Sequence, residues 1–454
     1  MEKFFKLKEN GTTVSTEIGA GVTTFLAMVY ILAVNPNILE ASGMDRGSIF
    51  TATCISAFVG TICMALFANY PVALASGMGL NAYFAYTVVP EVAAKGAVSP
   101  WQIALAAVFV EGIIFVLLSF TNFREQLVND IPTNLKHGIT AGIGLFIAII
   151  GLKNAGIVAD DPSTLLAFGD LATPQVLLPI IGLLITAILY HYNVKGYILL
   201  GILATWVLGM IAQVTGWYAV NPEAGVFSVF PSFDISAMIP ADKHIFDFDF
   251  GWIASHIVDF AIVVFSFLFV DIFDTVGTLI GVASKGDLLD EEGKLPNAKG
   301  ALLADAVGTI FGAAVGTSTV TSYVESTAGV AAGGRTGLTS VTTGVLFLIS
   351  LFLSPIFLAI PSFATTPALV WVGLLMLTAI KNVDFESDVA DTFGGFLAII
   401  LMAFTSSIAN GIMWGMMSWV ILKVCTGKAK DIKPIMWVVF VLFLLYAVKL
   451  VLHI

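Results

Sequence analysis

Charged residues are scarce in this chain, and their scarcity excludes a soluble domain. Asp, Glu, Lys and Arg together make up only 11% of the 454 residues, whereas soluble domains carry roughly 25%. Hydrophobic residues reach 58%, which predicts a protein that spans a membrane many times and is surrounded by lipid. The formal net charge of −11 argues against nucleic acid as a partner.

Residues suited to metal binding or enzymatic chemistry are equally few. The five histidines are scattered, and Cys54, Cys63 and Cys425 have no metal-ligand spacing. Three cysteines also give no disulfide framework, so we interpret them as packing residues. No Gly-Lys-Ser/Thr phosphate-binding loop is present, which argues against ATP-driven transport within this chain. We therefore expect neither an enzyme nor a bound cofactor or metal.

Runs of roughly 18 or more apolar residues mark candidate membrane-spanning helices. They lie near residues 17–36, 48–69, 102–120, 138–152, 174–191, 196–215, 257–281, 298–316, 336–359, 364–380, 391–408, 409–426 and 434–452. Two shorter elements, 73–88 and 321–333, are too glycine-rich for ordinary spans, and 391–426 is also compatible with a hairpin of two short helices. The first run has no small-residue cleavage site after it, so we expect no cleavable signal peptide.

The loops differ in charge, which predicts an orientation. If the helices alternate in direction, Lys195 and Lys423 lie on one side of the membrane, whereas Asp160 and Asp247 lie on the other. Cytoplasmic loops carry the excess of lysine and arginine. We therefore predict a multi-pass cell-membrane protein with a cytoplasmic N-terminus.

Three acidic residues lie in apolar sequence, where a charge is most costly. Asp271 and Asp274 interrupt the run 260–280, and Glu325 lies in a Gly/Ser/Thr-rich stretch between two apolar segments. A charge at the bilayer centre costs roughly 3 kcal/mol, and residues kept there usually line a substrate or ion path. These acids predict a transporter. The alternative is a structural acid that caps a helix or pairs with a base, but the neighbouring apolar runs contain no Lys or Arg beyond Lys299, at the start of the run 298–316.

A repeat relates the two halves of the chain. Val59-Gly60-Thr61-Ile62 recurs as Val307-Gly308-Thr309-Ile310, and Lys153-Asn154 recurs as Lys381-Asn382. Two halves with interrupted helices at equivalent positions are typical of inverted-repeat secondary transporters. The spacing between the two Val-Gly-Thr-Ile copies makes Gly77 equivalent to Glu325 and Ala57 equivalent to Asp305. We therefore expect the main polar anchor of the site in the second half of the chain.

The two interruptions, 71–81 and 316–326, predict the position of the site. Each combines an extended stretch with the start of a half-helix. Non-helical backbone is tolerated at membrane depth only where protein or a watery cavity satisfies it. We therefore expect two short strands that pair with each other, and two half-helices whose positive ends face a cavity. Plain helix packing is the alternative reading of such Gly/Thr-rich stretches.

Carboxylates without basic partners indicate the chemistry of the cargo. They suit a cation or a molecule rich in N–H donors, and burial lets them take up a proton. An amide from Asn81 beside a carboxylate would match a heterocycle with adjacent N–H and C=O groups. Phe273 could stack on such a ring, although packing against lipid or core is the alternative.

Four sequence blocks carry a resemblance to a known family. They are Thr23–Tyr30, Gly77–Phe84, Asp271–Thr278 and Glu325–Gly329. These blocks resemble the AzgA-like purine permeases, a branch of the nucleobase:cation symporter-2 (nucleobase–ascorbate) family, and the resemblance runs over essentially the whole chain. Nucleobase–ascorbate relatives carry a Gln/Glu-Asn-x-Gly signature, whereas here Ser326 follows Glu325. That departure argues against xanthine, uracil or ascorbate as the cargo.

The resemblance implies an all-α polytopic fold of about 14 transmembrane helices in two inverted seven-helix repeats, with two short strands at broken helices 3 and 10. A core domain and a gate domain would alternate along the chain, and the gate domain would form a homodimer contact. The implied segments are a cytoplasmic tail 1–15, core halves 16–132 and 257–360, gate halves 133–220 and 361–454, and an extracellular loop 221–256.

The resemblance also implies symport of adenine, guanine or hypoxanthine with a proton, sodium being an open alternative. Asp271 and Glu325 would hydrogen-bond the purine with help from Asn81, Ser326 and Phe273. Proton coupling and translocation would involve Asp271, Glu325 and three further residues: Asp274, Thr275 and Asp305. The alternatives are an anion (sulfate or bicarbonate) carrier of the same fold, a uracil or xanthine permease, and a channel.

Overall fold

Long helices dominate the computed structural model, which describes residues 2–120, 130–221, 226–232, 239–286, 288–289, 295–386 and 388–452. The helices are α1 (Glu2–Phe5), α2 (Val14–Met28), α3 (Ile31–Leu39), α4 (Arg46–Phe67), α5 (Met78–Tyr83), α6 (Val89–Ala94), α7 (Pro100–Ser119), α8 (Thr133–Asn154), α9 (Pro174–His191), α10 (Tyr197–Val214), α11 (Ile257–Lys285), α12 (Ala298–Ala314), α13 (Ser326–Ala331), α14 (Gly337–Ile349), α15 (Ser354–Phe357), α16 (Ser362–Leu377), α17 (Val389–Phe404), α18 (Ile408–Cys425) and α19 (Pro434–Leu452). The strands are β1 (Leu74–Ser76), β2 (Val158–Asp161), β3 (Leu165–Phe168) and β4 (Val320–Ser322).

The helices follow the apolar runs of the sequence. Each predicted run coincides with one helix or with two that continue each other, and the stretch 391–426 is the hairpin of α17 and α18. Within the described ranges, nine helical segments are long and apolar enough to cross a membrane. The β2–β3 hairpin was not expected from the sequence. Cys425 is exposed at the end of α18, so the packing role holds for buried Cys54 and not for this cysteine.

The predicted strand pair lies between the two halves of the chain. β1 and β4 pair antiparallel, with Leu74 opposite Ser322, and both strands are fully buried. Equivalent threonines of the repeat hold the strands. The Thr61 hydroxyl donates to the Leu74 carbonyl at 3.0 Å, and the Thr309 hydroxyl donates to the Val320 carbonyl at 3.1 Å. Paired strands and these hydroxyls satisfy backbone groups that a membrane-buried break would otherwise leave open.

Glycines allow equivalent helices of the two halves to touch. Gly60 of α4 and Gly308 of α12 are equivalent in the repeat, and a Cβ built on Gly308 would lie 3.4 Å from the Cα of Gly60. Gly144 of α8 and Gly373 of α16 face each other in the same way, because a Cβ on Gly144 would lie 2.6 Å from the Gly373 carbonyl oxygen. An added methyl group at Gly144 would therefore overlap the facing helix, whereas at Gly308 it would be in close contact with Gly60.

The helices pack in two bundles. The first bundle consists of α2–α7 and α11–α14, together with the paired strands β1 and β4. The second bundle consists of α8–α10 and α16–α18, with α8 packed along α16. The bundles meet where α3 and α5 lie against α16 and α8. Both breaks therefore belong to one bundle and face the other.

A buried carboxylate fixes the start of α14. Glu17 in the first turn of α2 is fully buried and accepts hydrogen bonds from the backbone N–H groups of Arg335 (2.8 Å), Thr336 (3.2 Å) and Thr339 (3.2 Å). The Thr339 hydroxyl also donates to it at 2.6 Å. Backbone N–H groups at a helix start have no partner within their own helix, so Glu17 joins two helices of the first bundle.

Candidate functional site

A cavity of about 1300 Å³ lies between the two bundles. The residues of both breaks line one wall, and α8, α16 and the connection between α9 and α10 line the other. The cavity extends to Lys136 at the start of α8, Ser284 at the end of α11 and Asn382 beyond α16. These helix ends lie together, so the cavity opens on the side that carries Lys195.

Two carboxylates line this cavity. Asp274 and Glu325 are the acidic residues among its lining residues in the described chain, and both are partly exposed. The Thr321 hydroxyl donates to Asp274 Oδ2 at 3.2 Å. The Tyr30 hydroxyl donates to Glu325 Oε1. Neither carboxylate forms a salt bridge with a described residue, so both can meet a ligand that enters the cavity.

A second acidic group lies behind the cavity wall. Asp271, Thr275 and Asp305 are fully buried and do not line the cavity. The Thr275 hydroxyl lies 2.8 Å from Asp305 Oδ2 and 3.3 Å from Asp271 Oδ1, whereas the Ser322 backbone N–H donates to Asp305 Oδ1 at 3.1 Å. Because Thr275 has one hydroxyl hydrogen, it can donate to only one of the two acids at a time. The group links α11, α12 and β4.

The remaining predicted residues lie around the breaks. Asn81 is fully buried, with its amide N–H donating to Asn35 Oδ1 at 2.6 Å and its own Oδ1 accepting from Ser76 at 3.0 Å. The Ser326 hydroxyl accepts from the Ala73 backbone N–H at 3.0 Å. Both side chains hold the breaks together and neither lines the cavity. Their binding role stays a prediction.

Phe273 lies on α11, but its side chain is outside the described residues. Its stacking role therefore also stays a prediction.

Two tyrosines contribute to the site without having been predicted. Tyr30 joins α2 to α3, is fully buried and bonds to Glu325. The Tyr323 hydroxyl donates to the Ser76 carbonyl at 2.5 Å, across the strand pair. A buried tyrosine hydroxyl needs a partner. The hydroxyl of Tyr30 in an otherwise apolar run was the signal that the sequence offered.

Proteins of known name resemble this chain over nearly its full length. Residues 15–414 match the model described as Permease family (Xan_ur_permease). Guanine/hypoxanthine permease PbuO of Bacillus subtilis (strain 168) is 46% identical over 441 residues, which cover 97% of this chain and 98% of that protein. Adenine permease AdeP of Escherichia coli (strain K12) is 42% identical over 454 residues, covering 100% and 97%.

A solved structure shares the fold. The transmembrane domain of a cyanobacterium bicarbonate transporter, BicA, aligns with a TM-score of 0.65 and 16% sequence identity, covering 87% of this chain and 97% of that one. At this identity the likeness concerns the fold of two inverted repeats and not the cargo. The chain is a multi-pass membrane transporter rather than an enzyme, and it belongs to the permease family that its purine-permease-like sequence blocks predicted.

Proposed function

We propose that this chain imports purine nucleobases together with protons by alternating access. Relatives named as adenine and guanine/hypoxanthine permeases, at 42% and 46% identity over the whole chain, support the class of cargo. The observation that carries the proposal is the pair of carboxylates on the cavity wall, Glu325 in the second break and Asp274 on α11 beside it.

The purine binds to this carboxylate wall. A purine presents ring and exocyclic N–H groups along its edges, and ionised carboxylates are acceptors with two oxygens each. Glu325 is oriented by Tyr30 and Asp274 by Thr321. We assign base contact to Asp274 and Glu325 rather than to Asp271, because a ligand in the cavity can reach only side chains that line it.

The buried group of Asp271, Thr275 and Asp305 handles the proton. Two carboxylates that share one hydroxyl are best satisfied when one of them is protonated, because its O–H can then donate to the Thr275 oxygen while the Thr275 O–H donates to the other carboxylate. Carrying an uncompensated charge through an apolar barrier costs several kcal/mol, and the bound proton lowers the negative charge of this group by one. The first bundle is then the moving core and the second the gate. Sodium in place of the proton would instead make uptake depend on external sodium.

We place the N-terminus and the mouth of the cavity in the cytoplasm, because Lys136 and Lys195 lie at this mouth and basic residues favour that side. The cavity is then in its inward-facing form. Homodimerisation occurs through the second bundle, whose outer face exposes Leu184 and Ile188 of α9 and Val207 and Ile211 of α10.

The test is uptake of labelled adenine, guanine and hypoxanthine by purine-transport-deficient cells that express this chain, with and without a protonophore. Saturable uptake that the protonophore abolishes is expected. Saturable anion flux without purine uptake would instead favour a bicarbonate-type carrier. Conductance without saturable uptake would favour a channel.

A second measurement tests the assignment of the proton. In Asp271→Asn, exchange of internal for external base should persist, because the cavity wall is unchanged, whereas accumulation driven by the proton gradient should be lost. Asp160→Asn, on the exposed β2 strand, is the control and should accumulate base as the parent does. Normal gradient-driven accumulation by Asp271→Asn contradicts the assignment.

A further inference from the structure

The cavity is larger than a bare purine base requires, and its acidic and basic lining residues lie at different ends. Its volume of about 1300 Å³ exceeds the roughly 300–1,000 Å³ typical of pockets for drug-sized ligands. The acidic lining residues in the described chain lie in the second break (Glu325) and on α11 beside it (Asp274). The basic lining residues lie at the mouth, and they are Lys136, His137 and Lys195. A molecule that fills this space would meet carboxylates at one end and cations at the other.

The basic residues lie at the starts of two helices. Lys136 and His137 belong to the first turns of α8, which begins at Thr133, and Lys195 lies two residues before α10 begins at Tyr197. Helix starts carry partial positive charge from free backbone N–H groups. A lysine beside such a start is a common arrangement for binding phosphate.

In the described part of the chain neither lysine forms a salt bridge, although Asp130 is near enough to attract Lys136. The amides of Asn193 and Asn382 line the same mouth. The positive-inside rule explains the side on which the lysines lie, but it does not require them to line the cavity.

The mouth and the carboxylate wall are neighbours. Tyr197, two residues after Lys195, lines the cavity and interacts electrostatically with Glu325. Thr23 and Ala27 of α2 also line the cavity between the breaks and the mouth. One continuous space therefore connects the two charged ends, and no acid is among the described residues that line its basic end.

We propose that this mouth binds the phosphate of a purine nucleoside 5′-monophosphate, whose base occupies the Asp274–Glu325 wall. The inference rests on the proposed function of that wall. The bound nucleotide blocks the cavity from the side on which it opens. Such nucleotides form when a phosphoribosyl group is attached to a free purine, so the reaction that consumes the imported base yields an inhibitor of its own supply.

The test is competition against a labelled base on purified, detergent-solubilised full-length protein. The competitors are guanine, guanosine and GMP, with adenine, adenosine and AMP in parallel, at low and high ionic strength. We expect the matching nucleotide to bind at least tenfold more tightly than its nucleoside at low salt. This ratio should fall towards one in the double variant Lys136→Gln/Lys195→Gln and at high salt. Lys153→Gln, at the opposite end of α8, is the control and should keep the ratio of the parent.

Each alternative outcome decides a different point. A nucleotide that competes no better than its nucleoside in the parent protein overturns the inference, while self-competition by the base still supports the proposed function. If inorganic phosphate competes against the labelled base as effectively as the nucleotide does, the proposed link between the two ends of the cavity is overturned. Absence of base binding overturns the proposed function and this inference with it. If the double variant does not fold, the salt dependence of the parent decides.

Discussion

Glu325→Gln is a sharp test of the site, because it changes the chemistry of one side chain while keeping its shape. In the parent, the Glu325 carboxylate accepts from the Tyr30 hydroxyl at Oε1 and from its own backbone N–H, and it lines the cavity, where a ligand can reach it. Glutamine has one acceptor oxygen and one amide NH2 group. If its oxygen faces Tyr30, its NH2 group faces the N–H donors of the base.

The expected loss follows from the bond removed. A hydrogen bond to a charged group contributes about 1.5–3 kcal/mol, which corresponds to a weakening of base binding by about 10- to 150-fold. Turning the amide around would present its oxygen to the base, but it would leave the hydrogen of the buried Tyr30 hydroxyl without an acceptor. That costs about 1–3 kcal/mol, so the amide cannot serve both partners.

This conflict predicts that a second change rescues the first. Tyr30→Phe removes the hydroxyl and keeps the ring, which is fully buried. In the double variant the amide is free to turn its oxygen to the cavity, and binding should recover about tenfold, the equivalent of roughly 1.4 kcal/mol. The two changes are therefore non-additive, as expected for groups in direct contact.

The assay is equilibrium binding of labelled base to purified protein at one fixed pH, for the parent, both single variants and the double variant. Glu9→Gln, an exposed acid paired with Lys6, is the matched control and should bind like the parent. Two results would refute the reasoning. One is a Glu325→Gln protein whose affinity is within threefold of the parent. The other is a double variant that binds no better than Glu325→Gln.

Three further predictions concern stability. Glu17→Ala leaves several N–H and O–H donors at the start of α14 without an acceptor, so thermal unfolding in detergent should show a loss of at least about 3 kcal/mol; an unchanged melting temperature contradicts this. Gly144→Ala should lower the melting temperature through overpacking of about 1–3 kcal/mol, whereas Gly19→Ala, with nothing within 4 Å of the added Cβ, should not. Burial lowers the pKa of His244, whose Nε2 accepts the Asp45 backbone N–H at 2.9 Å. The stability that neutral His244 contributes is then fully present above the ordinary pKa of about 6.5 and is lost as pH falls through the lowered value. The melting temperature of the parent should therefore exceed that of His244→Phe by less at pH 5 than at pH 7.5.

The sequence predicted where the breaks lie because they depend on local composition. The Gly- and Thr-rich stretches around Gly77 and Ser322 cannot continue an apolar helix, and the strands β1 and β4 formed there as expected. Run length and hydropathy likewise predicted the helices. Local composition and hydropathy both depend on residues that are adjacent in the sequence, so they can be read from a single chain.

The rotation of each helix about its own axis, which decides the side chains that face the cavity, could not be predicted in the same way. Asp271 and Asp274 lie about 60° apart around α11, given 3.6 residues per turn, and an apolar helix does not reveal which direction faces a cavity. In the structure Asp274 lines the cavity, whereas Asp271 faces Asp305 through Thr275. The bond between Tyr30 and Glu325 joins residues 295 positions apart, a pairing that depends on tertiary packing alone.

The contact between Gly60 and Gly308 also bears on the origin of the molecule. In a two-fold symmetric dimer, a residue on the axis meets its own copy and must be small enough to do so. A single ancestral unit that paired with an inverted copy of itself would therefore have needed a small residue there, and gene fusion would have carried this residue into both halves. Away from the axis the halves were free to diverge, as Gly77 and Glu325 have. Fusion thus turns two identical half-sites into one site with a single carboxylate-bearing side.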